Sequence, residues 1–311
     1  MTLLLSRSDL ESLLDPGACL AALRDGFRRD AKTAVPGQRV RTDLPFPGTA
    51  TALIPGLLPG IEAYTVKVNA KFPGARPALR GVVCLHSGAD GELLALLDSA
   101  TVTAWRTGLA AALGTAVLAA DTDTVGVVGA GAQADLMLRG LAVLRPWRDL
   151  VVHDSDPERA AAFAARHGGR VLDSAAEVAA AAGTVLLATW SRTPLLRLAD
   201  TRAGQHLTSL GADEPGKQEL AADLLGAALL VVDDRETAAR TGALAAAGLP
   251  ASAADATLGE VLRGDHPGRP DATARTVYAP VGLPWQDFAL AWAAYERAER
   301  EGTGRRVDLL G

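Results

Sequence analysis

Cysteine is nearly absent. Two thiols in 311 residues, Cys19 and Cys84, are too few for a disulfide framework or a thiolate metal site, and each sits among apolar neighbours as a small buried hydrophobe would. The histidines His86, His153, His167, His206 and His266 show no metal-ligand spacing, so they read as structural or exposed and no metal is expected. Long hydrophobic runs are missing too: none approaches the roughly 20 residues of a membrane span, and Arg7 and Asp9 interrupt the N-terminus before a signal-peptide core could form. The expectation is a soluble, cytoplasmic chain with no membrane partner. Positive charge is not in excess. The net charge is −5 and the basic residues are scattered, which argues against a nucleic-acid partner. Arg297, Arg300, Arg305 and Arg306 alternate with Glu296, Glu299 and Glu301, the pattern of a solvated helix face. Aromatics are only 4% of the chain.

What is present is apolar bulk and alanine. With 49% apolar residues in 311, the chain can bury a sizeable interior and is long for one core, so two domains are expected. Leu3 to Leu5 starts a strand, Ser8 caps a short helix, and Asp15-Pro16 caps another running to about Arg29. From Val35 to Asp98 short β-type runs (Arg39–Leu44, Thr49–Ile54, Ala63–Asn69, Gly81–His86, Leu93–Leu97) alternate with Pro and Gly clusters, predicting a mostly antiparallel sheet with a hairpin at Gly88–Gly91. Ser99–Ala120 is an alanine-rich helix. Beyond it, helices (Pro157–His167; Ser174–Ala182, with Ser174 and Glu177 as a capping box) alternate with strands (Thr184–Ala188, Leu207–Leu210, Leu229–Val232), predicting a parallel, doubly wound sheet. Trp285–Glu301 reads as a long amphipathic helix that returns to the first domain.

The stretch Thr124–Asp154 organises the rest. Val125, Val127 and Val128 form a β-type run, and the turn Gly129-Ala130-Gly131-Ala132-Gln133-Ala134 follows. A helical pattern with Leu136, Leu138, Leu141 and Leu144 comes next, and a second apolar run, Leu150–Val152, ends at His153-Asp154. In such a βαβ unit Gly129 permits a tight turn, and Gly131 leaves the backbone open to a pyrophosphate that the helix start attracts. Ala134 is small enough for close helix–strand packing. Asp154 is placed to accept hydrogen bonds from an adenosine ribose and would repel a 2′-phosphate, and no basic residue follows it until Arg159. The expected cofactor is NAD, with NADP disfavoured.

Three further polar segments carry chemistry. In Val66-Lys67-Val68-Asn69 a lysine interrupts an alternating strand; it either snorkels to solvent or faces a site, and alternation alone favours solvent. Arg106, in Thr103–Gly108, has the planar fork that suits a carboxylate, with a plain surface position as the even alternative. Asp213, in Leu210–Leu220, follows a strand of the nucleotide domain, where ligands bind, or else it is a turn or N-cap aspartate.

GAGAQA at Gly129–Ala134, KVN at Lys67–Asn69, WRTG at Trp105–Gly108 and GADEPGKQEL at Gly211–Leu220, with Val281-Gly282 ahead of the last helix, resemble in order and spacing the ornithine cyclodeaminase/mu-crystallin family. The likeness runs from about Val40 to Asp287, and the PGK-x-EL segment is closer to the cyclodeaminase branch. The resemblance implies that Arg41, Lys67 and Arg106 hold a substrate carboxylate, with Lys67 also reaching the reacting nitrogen or carbonyl, and that Asp213 is the acid/base. It implies cofactor contacts from Thr107, Thr189, Ser191 and Lys217, beside those of Gly129, Gly131, Ala132, Gln133, Asp154 and Ser155. It also implies a homodimer formed through the N-terminal domain. Two departures bear on the substrate. Ala52 stands where ornithine-specific members carry a glutamate, and Ala279-Pro280-Val281-Gly282 replaces the family's Asp-Ser-Val-Gly.

The expectation is therefore an α/β protein with a Rossmann-type doubly wound parallel sheet (121–278). A smaller α+β substrate and dimerisation domain with mainly antiparallel strands (1–120, completed by 279–311) accompanies it. The expected activity is NAD-dependent hydride exchange with the α-carbon of a small amino acid or cyclic imino acid. Two alternatives stay open: an ornithine- or lysine-type cyclodeaminase that recycles NAD, and an NAD(H)-dependent binding protein without turnover.

Overall fold

In the computed structural model, the described residues are 1–29, 40–72, 75, 78–120, 123–214 and 216–309. Val35, Arg39, Asp121 and Pro215, which entered the expectations above, lie outside them. The chain forms two compact units, Met1–Thr107 with Leu283–Gly311, and Gly108–Gly282.

Strand β1 (Thr2–Leu5) leads into helices α1 (Arg7–Leu13) and α2 (Pro16–Arg28). The first cap is Ser6 rather than the expected Ser8. The Ser6 hydroxyl accepts the Asp9 N–H while the Asp9 carboxylate accepts the Ser6 N–H, a reciprocal pair that only Ser6 is placed to make. Then come β2 (Val40–Asp43), β3 (Ala50–Gly56), β4 (Ala63–Lys71), β5 (Leu79–Ser87) and β6 (Leu93–Asp98), followed by α3 (Ser99–Leu118), which carries the chain past Thr107 into the second unit. The second unit runs β7 (Thr124–Val128), α4 (Ala132–Leu144), β8 (Asp149–His153), α5 (Pro157–His167), β9 (Arg170–Val171), α6 (Ala175–Ala181), β10 (Thr184–Leu187) and β11 (His206–Ser209). It continues through α7 (Ala222–Gly226), β12 (Leu229–Val232), α8 (Arg235–Thr241), α9 (Ala243–Ala247), β13 (Ala256–Thr257), α10 (Leu258–Arg263) and β14 (Thr276–Tyr278). The chain ends in α11 (Pro284–Glu301) and β15 (Arg305–Val307) of the first unit.

The first unit is a seven-stranded sheet in the order β15-β1-β6-β5-β4-β3-β2, antiparallel except for the β1–β6 pair. Alternation sorts its residues. Ala63, Thr65, Lys67 and Asn69 of β4 are buried on the face that α11 covers, while Tyr64, Val66 and Val68 face the other way. Helix α11 also packs on α2, where Gly26 lies against the Trp285 ring so closely that a β-carbon would collide with it. The outer face stays partly open: Val40 pairs with Leu53, Leu53 with Val68 and Val68 with Val82, an apolar row across four strands.

The second unit is an eight-stranded sheet, every pairing parallel, in the order β13-β12-β14-β11-β10-β7-β8-β9. The chain moves outward from β7 through β8 to β9 and then restarts at β10 on the other side. The switch point lies between β7 and β10, where ligands bind in open α/β sheets. The inner strands are buried on both faces and carry mostly valine and leucine, as parallel strands covered by helices require, whereas both residues of the edge strand β9 are exposed. Ser174 caps α6 as expected, but the Glu177 carboxylate accepts the Asp173 N–H, not that of Ser174, so the reciprocal box does not close.

Candidate active site

In the second unit β7 delivers Gly129 to the turn with φ of +92°, and a β-carbon there would lie 2.6 Å from the Ala188 carbonyl oxygen and 2.8 Å from Thr189 Cγ2. Gly129 is therefore glycine because the fold demands it. Gly131 is different. Its φ is −94°, and a β-carbon would meet nothing within 4 Å. No protein contact requires a glycine at that position, so the missing side chain leaves room for something that is not protein. Gly131 also caps α4 without a side-chain hydrogen bond, and Ala132 beside it is exposed. The buried Gln133 Oε1 has no partner among the described residues. An anion at this helix start would complete what the protein leaves undone, and the residues fit a dinucleotide pyrophosphate.

Asp154, at the end of β8, is buried. Its Oδ2 accepts the Ala130 N–H at 2.7 Å, and its Oδ1 accepts the Asp156 N–H at 2.9 Å and, from Ser155, a long hydroxyl contact of 3.5 Å. The first turn of α5 brings Arg159 back toward it, with Nη1 3.3 Å from Oδ1. The basic residue that looked distant in sequence thus stands beside the Asp154 carboxylate.

Past β10 and β11 the two loops are joined by a residue that sequence reasoning missed. Glu219, fully buried, accepts the Thr189 N–H (2.6 Å) and hydroxyl (2.8 Å) on Oε1, and the Ser209 hydroxyl and Gly211 N–H (both 2.7 Å) on Oε2. Burial pushes the Glu219 carboxyl up from its ordinary range, against the pull of these donors. Ser191 is stitched to the same loop, its N–H donating to the Thr189 hydroxyl and its carbonyl accepting the Gln218 N–H. Two residues beyond Gly211, the half-exposed Asp213 accepts a hydrogen bond from Lys217 Nζ at 2.8 Å. The same ammonium lies 3.1 Å from Glu214 and 4.1 Å from the centre of the Trp190 ring. Burial draws the Lys217 pKa down, but Asp213 and Glu214 outweigh it and hold it above the ordinary lysine value.

In the first unit the lysine that alternation assigned to solvent is 1% exposed. Its strand position faces α11, and α11 supplies the counter-ion. Lys67 Nζ donates to Asp287 Oδ2 at 2.5 Å and to the Thr103 hydroxyl at 3.4 Å. Arg106, 6% exposed in α3, donates from Nε to Asp287 Oδ1 at 3.3 Å and from Nη1 to Gln286 Oε1 at 3.4 Å. Burial opposes the charge of Asp287, yet Lys67 and Arg106 more than offset it and keep its carboxyl below the usual range. Gln286 and Asp287 are two further residues that sequence reasoning missed. Buried side chains in the first turn of the last helix, they lie 180 or more residues from their partners. The Gln286 Nε2 has no partner among the described residues. Arg41 is not drawn into this cluster; it is half exposed and pairs with Asp43 at 3.0 Å. Its strand position pairs with Ala52, and Ala52 with Asn69, on the face that holds Lys67. Thr107 is half-buried one residue after Arg106.

Among the described residues no group of three or more His, Cys, Asp or Glu side chains could hold a metal ion, and no helix is long and apolar enough to cross a membrane.

The profile of the ornithine cyclodeaminase/mu-crystallin family matches residues 1–302. The chain is 31% identical to the Δ1-pyrroline-2-carboxylate reductase of Bacillus cereus over 87% of its own length and 89% of that protein. Among solved structures it is similar to an archaeal alanine dehydrogenase dimer with bound NAD (TM-score 0.91, 27% identity, 99% of each chain). It is equally similar to the Thermococcus litoralis Δ1-pyrroline-2-carboxylate reductase in complex with NADH and L-proline (TM-score 0.91, 27% identity, 98% and 100%).

Proposed function

The chain belongs to the ornithine cyclodeaminase/mu-crystallin family, and from that premise we propose that it is an NAD-dependent oxidoreductase of a small amino acid or cyclic imino acid. The observation that carries the reading is the burial of two cations, Lys67 and Arg106, against the carboxylate of Asp287 in one unit. Such a cluster is costly to desolvate and is seldom kept for stability alone. Arg106 spends Nε on Asp287 and one Nη1 hydrogen on Gln286, so its remaining donors suit an incoming carboxylate. Gly129, Gly131, Ala132, Gln133, Asp154 and Ser155 in the other unit fit the dinucleotide, with Thr107, Thr189, Ser191 and Lys217 as further contacts. Asp154 and the room at Gly131 favour NAD.

Bound NAD would supply the hydride acceptor. The protein's part is to hold the substrate carboxylate with Arg41, Lys67 and Arg106, fixing the α-carbon rather than leaving it to tumble. Asp213 takes the proton of the substrate ammonium and returns it in the reductive direction, and Lys217, 2.8 Å away, holds that carboxylate in place. The reaction is the interconversion of an amino acid with its imine, in either direction. Ala52 offers no carboxylate to a second ammonium, so the substrate side chain is small or cyclic rather than that of ornithine. The second copy of a homodimer would cover the open face of the first unit's sheet.

A screen of amino acids and cyclic imines with NAD(H), run in both directions, tests this. A substrate that builds NADH in step with product is the expected result. Ammonia release with no net NADH would make the chain a cyclodeaminase. Thermal shifts with NADH but no turnover across the panel would make it a binding protein. Asp213→Asn is expected to lower turnover by about 10²–10⁴, and near-normal turnover would remove Asp213 from the mechanism.

A further inference from the structure

We infer that Asp287 is the positioning residue of the carboxylate cradle: it holds Lys67 and Arg106 as one unit and lowers the positive charge that a substrate meets by one. The inference rests on the reading of Lys67 and Arg106 as carboxylate ligands and goes beyond it, because it assigns a specificity role to a residue outside the family motifs quoted above.

The geometry is that of a shared counter-ion. Asp287 gives one oxygen to each cation, Oδ2 to Lys67 Nζ at 2.5 Å and Oδ1 to Arg106 Nε at 3.3 Å. All three side chains are buried, so their mutual placement is not averaged by solvent. Strand β4 fixes the height of Lys67, α3 that of Arg106, and the first turn of α11 brings the carboxylate between them. The neighbouring Gln286 takes Arg106 Nη1 through Oε1 and the Leu283 N–H through the same oxygen, which ties the guanidinium to the start of α11. The single-bond contact at Nε matters. A paired, fork-to-fork contact would use up the two-oxygen face of Arg106, whereas this one orients the guanidinium and leaves other donors to a ligand.

Two consequences separate this from a helix-start acid that merely stabilises α11. Removing the negative charge raises the charge of the cradle by one whatever else surrounds it, so a dianion must gain relative to a monoanion of the same size. Removing the carboxylate but keeping its shape also unfastens Lys67 from Arg106, so the monoanion must lose affinity. A structural acid would change both anions alike.

Propionate and malonate, similar in size and different by one charge, are the probes. Their affinities are measured by calorimetry on the NADH-loaded enzyme, with NADH affinity as the control for the second unit. In Asp287→Asn the expected result is a loss of propionate affinity of at least about tenfold, and a shift of the malonate-to-propionate ratio toward malonate of at least about tenfold. Asp287→Glu, which keeps the charge, restores the wild-type ratio. An Asp287→Asn enzyme with wild-type propionate affinity and ratio overturns the inference. If that variant does not fold, Lys67→Met with and without Asp287→Asn decides. The double variant restores the cradle's charge, so its ratio returns to the wild-type value, and a double variant that keeps the ratio of Lys67→Met overturns the inference. A wild type that binds neither anion overturns the carboxylate-cradle reading and the inference with it. A wild type that binds propionate, with Asp287→Asn unchanged, overturns the inference alone.

Discussion

Glu219 accepts the Gly211 N–H on one carboxylate oxygen and the Thr189 N–H on the other. That arrangement cannot be copied by an amide. Whichever way a glutamine is turned, its NH₂ group faces a backbone N–H, and neither backbone donor can rotate away as the Ser209 hydroxyl can. Glu219→Gln therefore leaves one buried N–H opposed and unpaired, and the expected loss is about 2 kcal/mol of stability. It is read as a lowered midpoint in urea, with turnover falling because the loops bearing Thr189 and Asp213 lose their shared anchor. An unchanged midpoint would show that the loops are held by something else.

The same residue marks where the sequence was legible and where it was not. The βαβ unit from Thr124 to Asp154 could be read in detail because its signals are local: an apolar run, a glycine turn, helical spacing and a terminal acid. The antiparallel sheet could be read for the same reason, from alternation between Pro and Gly clusters. Strand β14 went unread although it lies between β12 and β11. It is three residues long, Thr276–Tyr278, and follows a polar stretch rich in Gly and Pro, so nothing local distinguishes it from a loop. For Lys67 alternation alone favoured solvent, and only the family resemblance pointed to a site, because alternation shows which face a residue takes but not what covers that face. The covering helix comes 220 residues later, and Asp287, the group that makes burial tolerable, comes with it. Glu219 sat inside a recognised segment, yet its partners Thr189 and Ser209 meet it only once β10 and β11 are paired.

His206 gives the second unit a pH-dependent stability. It is fully buried in β11, hydrogen-bonded to Thr276 and Thr208, and burial, with Arg269 and Arg145 adding to it, pushes its pKa from 6.5 down to about 3. The unfolded chain takes up a proton near pH 6.5 that the folded chain refuses. The stability is thus fully present above pH 6.5 and is lost as pH falls toward about 3. The expected slope is up to about 1.4 kcal/mol per pH unit for this one group. Denaturant unfolding between pH 8 and pH 5 should show it, and His206→Gln should flatten it over that window. An equal slope in the variant would assign the effect to other groups.

On the proposed function, Asp154 and Arg159 are expected to set the choice between NAD and NADP. The carboxylate holds Arg159 Nη1 at 3.3 Å and would repel a 2′-phosphate, while its other oxygen braces the turn through the Ala130 N–H. Asp154→Asn keeps an oxygen for that brace, at the cost of turning its NH₂ toward the Asp156 N–H that the other oxygen accepted, and it removes the charge, releasing Arg159. NADPH affinity, read from nicotinamide fluorescence, is expected to improve by at least about tenfold, or about 1.4 kcal/mol. Adding Arg159→Leu should cancel the gain. A gain that survives the second substitution would rule out Arg159 as the phosphate ligand.

The open face of the first unit's sheet carries its own prediction. Val40, Leu53 and Val82 are 53%, 45% and 39% exposed, and they lie in one register row with Val68 between the last two. A row of this kind on a solvated sheet is a liability unless another surface covers it. The chain is expected to be a dimer at micromolar concentration, in keeping with the dimeric archaeal relative. Leu53→Asp, which places a charge at the middle of the row, should give a folded monomer by sedimentation velocity. A dimer of wild-type strength in that variant would move the interface elsewhere.

Gly129 and Gly131 differ by two positions and answer to different demands. At Gly129 the backbone is left-handed and the Ala188 carbonyl oxygen blocks a side chain, so Gly129→Ala strains the turn and pushes β7 against the loop after β10. Its expected signature is a lower unfolding midpoint, with cofactor affinity falling as a consequence. At Gly131 the backbone is one any residue adopts, and the space beyond is empty of protein atoms. Gly131→Ala should leave the unfolding midpoint of the free protein unchanged, or raise it by a few tenths of a kcal/mol, because alanine loses less entropy on folding. On the proposed function, what the added methyl would meet is a dinucleotide phosphate at the start of α4. NADH affinity is expected to fall by at least about tenfold, equivalent to about 1.4 kcal/mol, and the stabilisation that saturating NADH confers in a thermal melt should shrink by the same free energy. The pair of variants separates fold from ligand without any knowledge of the substrate. If Gly131→Ala binds NADH as the wild type does, the open space at the turn is not where the dinucleotide lies, and the cofactor would have to be sought at another strand end of the same sheet.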